Sequence, residues 1–462
     1  MKLFTARLGP PSFYRGALAI ALPVMLQQFI MSMVSLIDNF MVAGLGDISM
    51  AAVNVTNQIN FIYLVIINTI CQAGGIYLAQ FRGAGDSAGM QHAFRFKVIF
   101  AVVAAALYFV LCRTIPEKMI AMMTMGNAAQ AEIITVGSGY LGLISWTLFP
   151  IAVSSAIGTS FREIARPKGP LFISASATLV NTAGNWLLIY GNMGAPRLEV
   201  AGAAYATIIA RMFELGVFLV YARTAAAPFF TGFTKLFNIH RKFIGEILCK
   251  SGMIFVSELS WVSSETIMTA MYNRRGGAEV VAGMAAGWTI ANIFFLLFGG
   301  IWTAAGVLVG GALGAGELDE ARRRAAWLKS GSIAAGVIIA VPGAVLAALL
   351  IPLVFSNLSE AARSNSFGLV LVILGYLPLW GLLNIQFAIS RAGGDTATGM
   401  YTDLSVNTFL FIPGAVILSL LTSMPPVPMF ALLKLTDIIK CFICRHFLRK
   451  ERWVNNLTAG KT

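Results

Sequence analysis

The sequence predicts an all-α polytopic membrane protein, with about twelve transmembrane helices in two six-helix lobes. A low charge content, the recurrence of apolar runs and an internal repeat are the three observations behind this prediction. Of the 462 residues, 58% are hydrophobic and only 11% are charged. A soluble globular domain carries about 25% charged residues, so the composition argues against a soluble fold.

Apolar runs long enough to cross a bilayer recur from one end of the chain to the other. A spanning helix needs about 20 residues, so about twelve spans with short loops fill the sequence. Lipid offers the backbone no hydrogen-bond partner, and such runs are therefore expected to be helices. The predicted spans begin near Ala17, Val53, Phe94, Ile133, Leu171, Ala201, Phe243, Val281, Ala325, Phe367, Met400 and Met429.

Basic residues in the predicted loops indicate the orientation. The net charge is +13, and most of the excess falls in alternate connections and in the C-terminal tail. Examples are Arg95 and Lys97 after span two and Arg322–Arg324 after span eight. The positive-inside rule then predicts a multi-pass protein of the cytoplasmic (inner) membrane with both termini in the cytoplasm. Nucleic-acid binding is disfavoured because the charges are scattered over loops between spans.

No enzyme or cofactor signature is recognisable in the sequence. The chain has no P-loop and neither of the common zinc-protease and serine-hydrolase motifs, so a protein that is not an enzyme is expected. Cys441 and Cys444 form a CxxC near His446, but no second ligand pair accompanies them. We expect these cysteines to pack structurally, with no metal or cofactor, and any energy input to come from an ion gradient.

An internal repeat relates the two halves of the chain. Residues 57–86 align with residues 288–317 at a constant offset of 231, and the match ends with Gly-Ala-Gly-Asp over Gly-Ala-Gly-Glu. A weaker echo places Ser-Phe-Arg at 160–162 over Ile-Ser-Arg at 389–391. Two halves of six spans keep the same orientation, so the repeat is parallel and its axis follows the membrane normal. The predicted lobes are residues 1–225 and 226–462.

A carboxylate inside a bilayer costs several kcal/mol unless it is paired or hydrated, so each one is a functional candidate. Asp38 ends the first span, on one helical stripe with Gln27, Met31 and Val34. We expect Asp38 to titrate and the rest of the stripe to line a substrate cavity. The alternative is that a carboxylate near a span end lies at the membrane interface and stays wet.

Span seven carries two further acids on one face. Glu258, Trp261 and Glu265 follow the spacing i, i+3 and i+7, which predicts a second carboxylate site beside an aromatic side chain. Glu214 in span six and Asp403 at the start of span eleven are expected to be structural.

Span five places Asn181 and Asn185 one turn apart, and span six contributes Thr207. Together with Asp38 they offer one carboxylate, two amide oxygens and a hydroxyl. That set suits a proton or a hard cation such as Na⁺, which prefers oxygen ligands. Asparagines also pack membrane helices by hydrogen bonding across them, and the residues alone leave both interpretations open.

The order and spacing of several segments resemble the multidrug and toxic compound extrusion (MATE) family over nearly the whole chain. The segments are LPVMLQQFIMSMVSLIDNFMVAGLG, AQFRGAGD, FREIARPKGPLFISASATLVNTAGNWLLIYG, VAGAAYATIIAR, SELSWVSSETIMTAMYNRRGG, GGALGAGE and RAGGDTATGMYTDLSVNTFLFIPGA. The resemblance implies twelve helices in two lobes and export of substrates in exchange for H⁺ or Na⁺.

The resemblance also implies roles for particular residues. Asp38 matches the family's first-helix carboxylate of cation coupling, and Asn181 and Thr207 match members of the same cluster. Asn185 stands where many relatives have aspartate, which favours protons over Na⁺. Glu258 matches the glutamate of a seventh-helix Asn-Glu-x-x-Trp pattern. The tenth helix lacks the aspartate of some relatives, so a second-lobe site would rest on Glu258 and Glu265.

The expected function is secondary antiport of lipophilic or cationic small molecules by a monomer embedded in membrane lipid. Twenty methionines and 32 phenylalanines provide adaptable and aromatic surface for such substrates, and Pro23 is a hinge candidate in the first helix. The alternative is a lipid or lipid-linked glycan flippase of the same superfamily, which would need a basic cavity; no row of basic residues is evident in the spans. A channel or receptor would not need the repeat.

Overall fold

A computed structural model describes residues 8–125, 127, 129–232, 235–237 and 241–459, without the side chains of Arg241 and Lys242. All regular structure in this part of the chain is helical, and it contains twelve long helices. The first six are α1 Pro11–Ala43, α2 Asp47–Ala84, α3 Ser87–Thr114, α4 Gln130–Glu163, α5 Lys168–Tyr190 and α6 Glu199–Thr224. The last six are α7 Arg241–Asn273, α8 Ala278–Gly314, α9 Leu318–Val354, α10 Glu360–Ala392, α11 Ala397–Leu421 and α12, which comprises Pro426–Lys434 and Thr436–Arg449.

Nine of the twelve helices are each long and apolar enough to cross a membrane, among the residues described. The other three helices, α5, α7 and α12, carry polar side chains that are discussed below, including Asn185, Glu258 and Lys440. The predicted all-α architecture of about twelve spans is confirmed.

The predicted starts are several residues late in most helices. For example, α3 begins at Ser87 rather than Phe94, and α10 begins at Glu360 rather than Phe367. The cause is capping: Asp86 accepts a hydrogen bond from the Gly89 amide, and the Ser359 hydroxyl accepts one from the Ala362 amide. These caps allow a helix to begin in a polar stretch before its apolar run.

Two basic residues that the sequence placed in a loop lie inside a helix instead. Arg95 and Lys97 belong to α3, and both are buried. The prediction of loop residues was wrong because it assumed that basic side chains stay in water. Lys97 forms an ion pair with Glu163 at 2.8 Å, and pairing of this kind lowers the cost of a buried charge.

The helices group into two compact units. The N-terminal lobe contains Leu26–Leu78 and Asp86–Leu248. The C-terminal lobe contains the described residues up to Met25, the segment Ala79–Gly85, and the described residues from Cys249 onward. α1 therefore contributes to both lobes, and its helix runs unbroken through Pro23. The division predicted between residues 225 and 226 stays a prediction.

The repeat has a geometric counterpart within the C-terminal lobe. Gly85 and Gly316, which follow α2 and α8, have φ values of +72° and +78°, a left-handed conformation that favours glycine. Two residues before these glycines, α2 and α8 contact each other in a reciprocal way. A Cβ on Gly83 would collide with the carbonyl of Gly311, and one on Gly314 would collide with that of Gln80. The offset of 231 exchanges the two contacts, as a parallel repeat requires.

Three of the long helices deviate from regular α-helical geometry. α4 contains a 3₁₀ turn at Ser145–Thr147, and π-helical turns interrupt α8 at Gly306–Gly310 and α11 at Asn407–Phe411. A π-helical turn inside an α-helix is frequent at functional sites. The turn in α11 begins one helical turn after Asp403, which belongs to the buried network described below.

Candidate cation-coupling sites in the two lobes

The structure brings Asp38 of α1 and Asn185 of α5 together in the N-terminal lobe. The Asn185 amide donates a hydrogen bond from Nδ2 to Asp38 Oδ1 at 2.8 Å. Nearby, the Tyr190 hydroxyl donates to the carbonyl of Met41 at 2.7 Å, which ties the ends of the same two helices together. Asn185 is buried and Asp38 is half-buried, so the carboxylate is only partly shielded from its surroundings.

The predicted partners Asn181 and Thr207 form a hydrogen bond one turn before Asn185 in α5. Asn181 Nδ2 donates to the Thr207 hydroxyl at 3.2 Å, and that hydroxyl donates to the Ala203 carbonyl at 2.9 Å. Asn185 Oδ1 is buried and has no hydrogen-bond partner among the described residues. An orphaned amide oxygen beside a carboxylate is an acceptor that a proton or a cation can use.

Two charged or titratable neighbours of Asp38 were not predicted. Arg211 of α6 and Tyr140 of α4 both lie within electrostatic range of the Asp38 carboxylate. Arg211 also forms an ion pair with Glu214 at 2.8 Å. The i, i+3 spacing of Arg211 and Glu214 in α6 predicts their ion pair from the sequence, but it does not show that Arg211 lies near Asp38.

Gln27 belongs to a chain of hydrogen bonds in the same lobe. It donates to the Ser174 hydroxyl at 2.9 Å, and Ser174 donates to Glu214 at 2.9 Å. On its other side, Gln27 accepts a hydrogen bond from Arg162 at 3.4 Å. Glu214, expected to be structural, is therefore a buried and fully engaged member of this network.

The other members of the predicted stripe are more open. Met31 has 38% of its surface exposed, and Val34 is half-buried. Their role in lining a substrate cavity, like that of Gln27, stays a prediction.

A second buried ion pair lies elsewhere in the N-terminal lobe and was missed. Lys97 of α3, with none of its side chain exposed, contacts Glu163 Oε2 at 2.8 Å and the Ser160 hydroxyl at 3.0 Å. A Cβ at position 75 would collide with the Glu163 carboxylate, so Gly75 provides the room for it. The sequence separates the two partners by a whole helix, and no local pattern links them.

In the C-terminal lobe, Glu258 of α7 is paired rather than free. Its carboxylate lies 3.1 Å from Arg391 of α10, and 30% of its side chain is exposed. The Arg391 guanidinium also lies 4.5 Å from the centre of the Trp302 ring. Trp261, predicted beside Glu258, has 48% of its surface exposed.

Glu265 is paired as well. It contacts Lys434 of α12, whose ammonium lies 5.1 Å from the Phe411 ring and 5.4 Å from the Phe430 ring. The two acids of α7 that the sequence proposed for one second-lobe site thus each have a separate basic partner. Among the described residues, no hydrogen bond or ion pair joins Glu258 to Glu265.

Three charged residues of α11 and α12 form a further buried network in this lobe. Lys440 lies 3.2 Å from Asp403 and 3.6 Å from Asp437, and all three side chains are less than a tenth exposed. Ser257 donates to Asp403 at 2.5 Å, and the Trp380 indole donates to Asp437 at 2.8 Å. Sequence reasoning set Asp403 aside as structural, and it missed Asp437 and Lys440 because they follow a break in α12.

Cys441 and Cys444 lie beside this triad in an apolar environment. Both are buried, in a cluster with Leu383 and Phe387. The described residues contain no group of three or more histidine, cysteine, aspartate or glutamate side chains placed to hold a metal ion.

Twelve helices, two parallel repeats and charges buried within lipid-spanning segments define a polytopic membrane transport protein. The MatE family model matches residues 23–187 and again residues 254–417, one match in each repeat. The chain belongs to the MatE family, the multidrug and toxic compound extrusion transporters, as the sequence resemblance predicts.

Several relatives are similar along much of the chain. The probable multidrug resistance protein NorM of Rhizobium meliloti (strain 1021) is 25% identical over 318 residues, covering 68% of this chain and 66% of that protein. The uncharacterized transporter YisQ of Bacillus subtilis (strain 168) is 25% identical over 62% of both chains. A NorM protein of Bradyrhizobium diazoefficiens is 25% identical, covering 82% of this chain and 81% of its own. The matches to the first two therefore span less than two thirds of those proteins.

Solved structures share the fold. The outward-facing conformation of a multidrug resistance MATE family transporter of the MOP superfamily superposes with a TM-score of 0.84, at 15% identity and 97% coverage of both chains. A crystal structure of MATE in complex with MaL6 gives a TM-score of 0.83, also at 15% identity and 97% coverage of both chains. At this identity the likeness establishes the fold alone.

Proposed function

We propose that this protein is a secondary antiporter that exports lipophilic or cationic small molecules in exchange for protons. The contact between Asn185 Nδ2 and Asp38 Oδ1 at 2.8 Å carries the proposal. It places one titratable carboxylate among neutral amide and hydroxyl groups within a spanning segment. A single proton then changes the charge of the site from negative to neutral, which is the minimal chemistry of proton coupling.

Protons are favoured over Na⁺ by the charges around Asp38. Asp38 and Asn185 together contribute one negative charge, and Arg211 adds a positive charge within electrostatic range. Arg211 opposes any added positive charge, whether a proton or Na⁺, but a proton needs only the Asp38 carboxylate, whereas Na⁺ needs several oxygen ligands and Asn185 supplies no second negative charge. The orphaned Asn185 Oδ1 is the observation that keeps Na⁺ as the alternative coupling ion, because it offers a further oxygen ligand.

Exchange follows if proton and substrate compete. A cationic substrate is attracted by ionised Asp38 and loses that attraction once the carboxylate is protonated. By linkage, each ligand then weakens the other's affinity to the same extent. Protonation also weakens the acceptor that holds Asn185, so α1 is free to repack against α5, with Pro23 as its hinge.

The substrate class rests on the surface chemistry and on the relatives. Met31 is exposed on the face of α1 that carries Asp38, and soft apolar side chains suit lipophilic cations. Relatives named as multidrug resistance proteins point the same way. We further propose that the protein acts as a monomer in the cytoplasmic membrane, surrounded by lipid and with both termini in the cytoplasm, without catalysis and with no cofactor beyond the coupling ion.

The flippase alternative gains no support from the relatives named above. Contrary to the expectation from the sequence, however, the spans do contain basic residues: Lys97, Arg162, Arg391, Lys434 and Lys440. Each of them has an acidic or amide partner within its own lobe. A pyrophosphate would therefore have to compete with an existing contact for every one of these charges.

Uptake into inverted vesicles, with the pH and Na⁺ gradients imposed separately, tests the proposal. A fluorescent lipophilic cation serves as substrate, and the wild type is compared with Asp38→Asn. We expect a pH gradient alone to drive transport by the wild type and the Asp38→Asn variant to lose it. Asp47→Asn is the matched control, because Asp47 is an exposed acid at the start of the next helix.

Retention of full gradient-driven transport by Asp38→Asn would overturn the proposed role of Asp38. Transport driven by a Na⁺ gradient alone would replace protons by Na⁺ as the coupling ion. If neither gradient drives transport of lipophilic cations, the antiporter proposal itself is wrong.

A further inference from the structure

The triad of Asp403, Lys440 and Asp437 carries a net negative charge in the interior of the C-terminal lobe. Its three side chains are 8%, 6% and 9% exposed. One oxygen of each carboxylate faces Lys440, and the other accepts a hydrogen bond from a neutral donor, Ser257 or Trp380. The local geometry is well satisfied, but two carboxylates share one ammonium.

Other basic side chains lie near the triad: Lys329 of α9 is within electrostatic range of Cys444, and Arg391 and Lys434 belong to adjacent ion pairs. Arg391 is committed to Glu258 and Lys434 to Glu265, and each of these pairs is neutral by itself. A buried net charge is costly, and a protein relieves such a cost most readily by changing protonation. One added proton makes the triad neutral.

The repeat gives this triad a counterpart in the N-terminal lobe. The offset of 231 aligns Gln27 with Glu258. Arg162 contacts Gln27 and Arg391 contacts Glu258, and these arginines end the segments Ser-Phe-Arg and Ile-Ser-Arg that echo each other. Ser174 and Asp403 are each the seventh residue of their helices, α5 and α11. The equivalent places therefore carry polar networks in both lobes.

The sixth helix of each repeat completes the correspondence. α6 carries Arg211 and Glu214 at i, i+3, whereas α12 carries Asp437 and Lys440 at i, i+3 with the charges in the opposite order. With Asp38 and Arg162 included, the N-terminal network contains two carboxylates and two guanidinium groups. The C-terminal triad contains two carboxylates and one ammonium, so the two networks share kinds of side chain but not net charge.

We propose that Asp403, Lys440 and Asp437 form a second proton-binding site, in which one proton is taken up on a carboxylate oxygen of Asp403 or Asp437. Its part in coupling rests on the proposed antiport, but the binding of the proton does not. The Lys440 ammonium contacts both carboxylates and already occupies the place that a metal cation would take, so a proton is the ligand that fits.

A second observation at the same place supports a site that changes its hydrogen bonds. Asn407, one turn after Asp403, donates to the Ser260 hydroxyl at 3.1 Å, but its buried Oδ1 has no partner among the residues described. Asn407 also opens the π-helical turn of α11. Protonated Asp403 no longer holds Ser257 as strongly, and an orphaned acceptor on the same helix face can take over a donor from α7.

Other titratable groups near the triad must be separated from it in any measurement. Cys441 of α12 and Tyr376 of α10 lie within electrostatic range of Asp437, and Cys444 of α12 lies within range of Asp403. Glu265 of α7 lies within range of Lys440. Asp395 lies within range of Cys444 and is hydrogen-bonded to Thr398.

Infrared difference spectroscopy of the purified protein in lipid nanodiscs tests the proposal directly. The carboxylic C=O stretch of a protonated carboxyl is followed from mildly acidic to mildly alkaline pH in the wild type, Asp38→Asn, Asp403→Asn and Asp437→Asn. We expect two titrating bands in the wild type. Asp38→Asn should remove one of them, and either triad variant should remove or shift the other. Glu320→Gln, at an exposed ion-pair cluster of α9, is the control that should change neither band.

The proposal is overturned if the wild type shows no titrating band beyond the one that Asp38→Asn removes, a result that needs no triad variant to fold. It is also overturned if the second band is unchanged in both triad variants. If the band behaves as expected while a pH gradient fails to drive transport by the wild type, the proton site stands and the proposed antiport is wrong.

Discussion

Asn185 sets the charge of the site around Asp38, because it contributes an amide where a carboxylate would double the negative charge. An Asn185→Asp variant places two acids 2.8 Å apart, and like charges at such a distance favour a bound cation. We expect export by this variant to become dependent on Na⁺. The measurement is substrate efflux under a Na⁺ gradient alone, with Asn185→Leu as the control for loss of the hydrogen bond. Equal Na⁺ dependence of wild type and Asn185→Asp would contradict this account of the site.

The ion pair of Lys97 and Glu163 is expected to be necessary for stability. A Lys97→Met substitution leaves the Glu163 carboxylate without its partner, which costs about 3–5 kcal/mol in the free energy of unfolding. Thermal unfolding in detergent should show a clear fall in the midpoint. The double variant Lys97→Met with Glu163→Gln should recover most of this loss, because it removes the uncompensated charge.

An exposed ion pair provides the comparison for that experiment. Arg322 contacts Asp319 and Glu451 on the surface of the protein, and solvent screens exposed pairs so that they contribute little to stability. Arg322→Met should therefore leave the unfolding midpoint nearly unchanged. A loss as large as that of Lys97→Met would show that burial is not what distinguishes the two pairs.

The residues that the sequence predicts best are polar side chains inside apolar spans that match the MATE cluster. Asp38, Asn181, Asn185 and Thr207 were grouped from the sequence, and the structure pairs Asp38 with Asn185 and Asn181 with Thr207. The pairing of Glu258 with Arg391 was not predicted, because the partners lie in helices far apart in the chain. Buried bases escaped notice for a related reason: without its partner in view, a lysine in an apolar stretch looks like a loop residue.

At the scale of helices, the crossing of α2 and α8 depends on two glycines. A methyl group at Gly314 would collide with the Gln80 carbonyl, which is a fixed backbone atom. We expect Gly314→Ala to destabilise the protein by about 1–3 kcal/mol, the usual cost of overpacking. The thermal unfolding midpoint of the detergent-solubilised protein is the readout.

The repeat supplies two further variants for this test. Gly83→Ala should have a similar cost, since its Cβ meets the Gly311 carbonyl in the reciprocal contact. Gly306→Ala in the same helix as Gly314 should be neutral, because nothing lies within 4 Å of the added atom. An effect of Gly306→Ala as large as that of Gly314→Ala would mean that the close contact at the crossing does not explain the loss, since alanine itself favours a helix over glycine.

The existence of each helix was predictable from its apolar run, but its interruptions were not. The π-helical turns in α8 and α11 and the break near Leu435 in α12 leave no signature in hydropathy. They depend on packing between helices that are distant in sequence. The break matters for the site, because Asp437 and Lys440 follow it and would otherwise read as the polar end of the last span.

At the scale of the whole molecule, each repeat contains a buried polar network, but different residues form it in the two repeats. The N-terminal network uses Arg211 and Glu214 on its sixth helix, and the C-terminal network uses Asp437 and Lys440. Sequence comparison of the halves cannot find this equivalence, since the charges are exchanged. It emerges only when the hydrogen-bond partners are known.

The central claim is that a proton and a substrate compete through Asp38. The most direct test is equilibrium binding of a fluorescent lipophilic cation to the purified protein, measured over a range of pH for wild type and Asp38→Asn. Affinity should weaken in the wild type as the pH falls, because a protonated Asp38 no longer attracts the cation. The Asp38→Asn variant should bind more weakly at high pH and should lose most of this pH dependence. The same pH dependence in both proteins would contradict the claim.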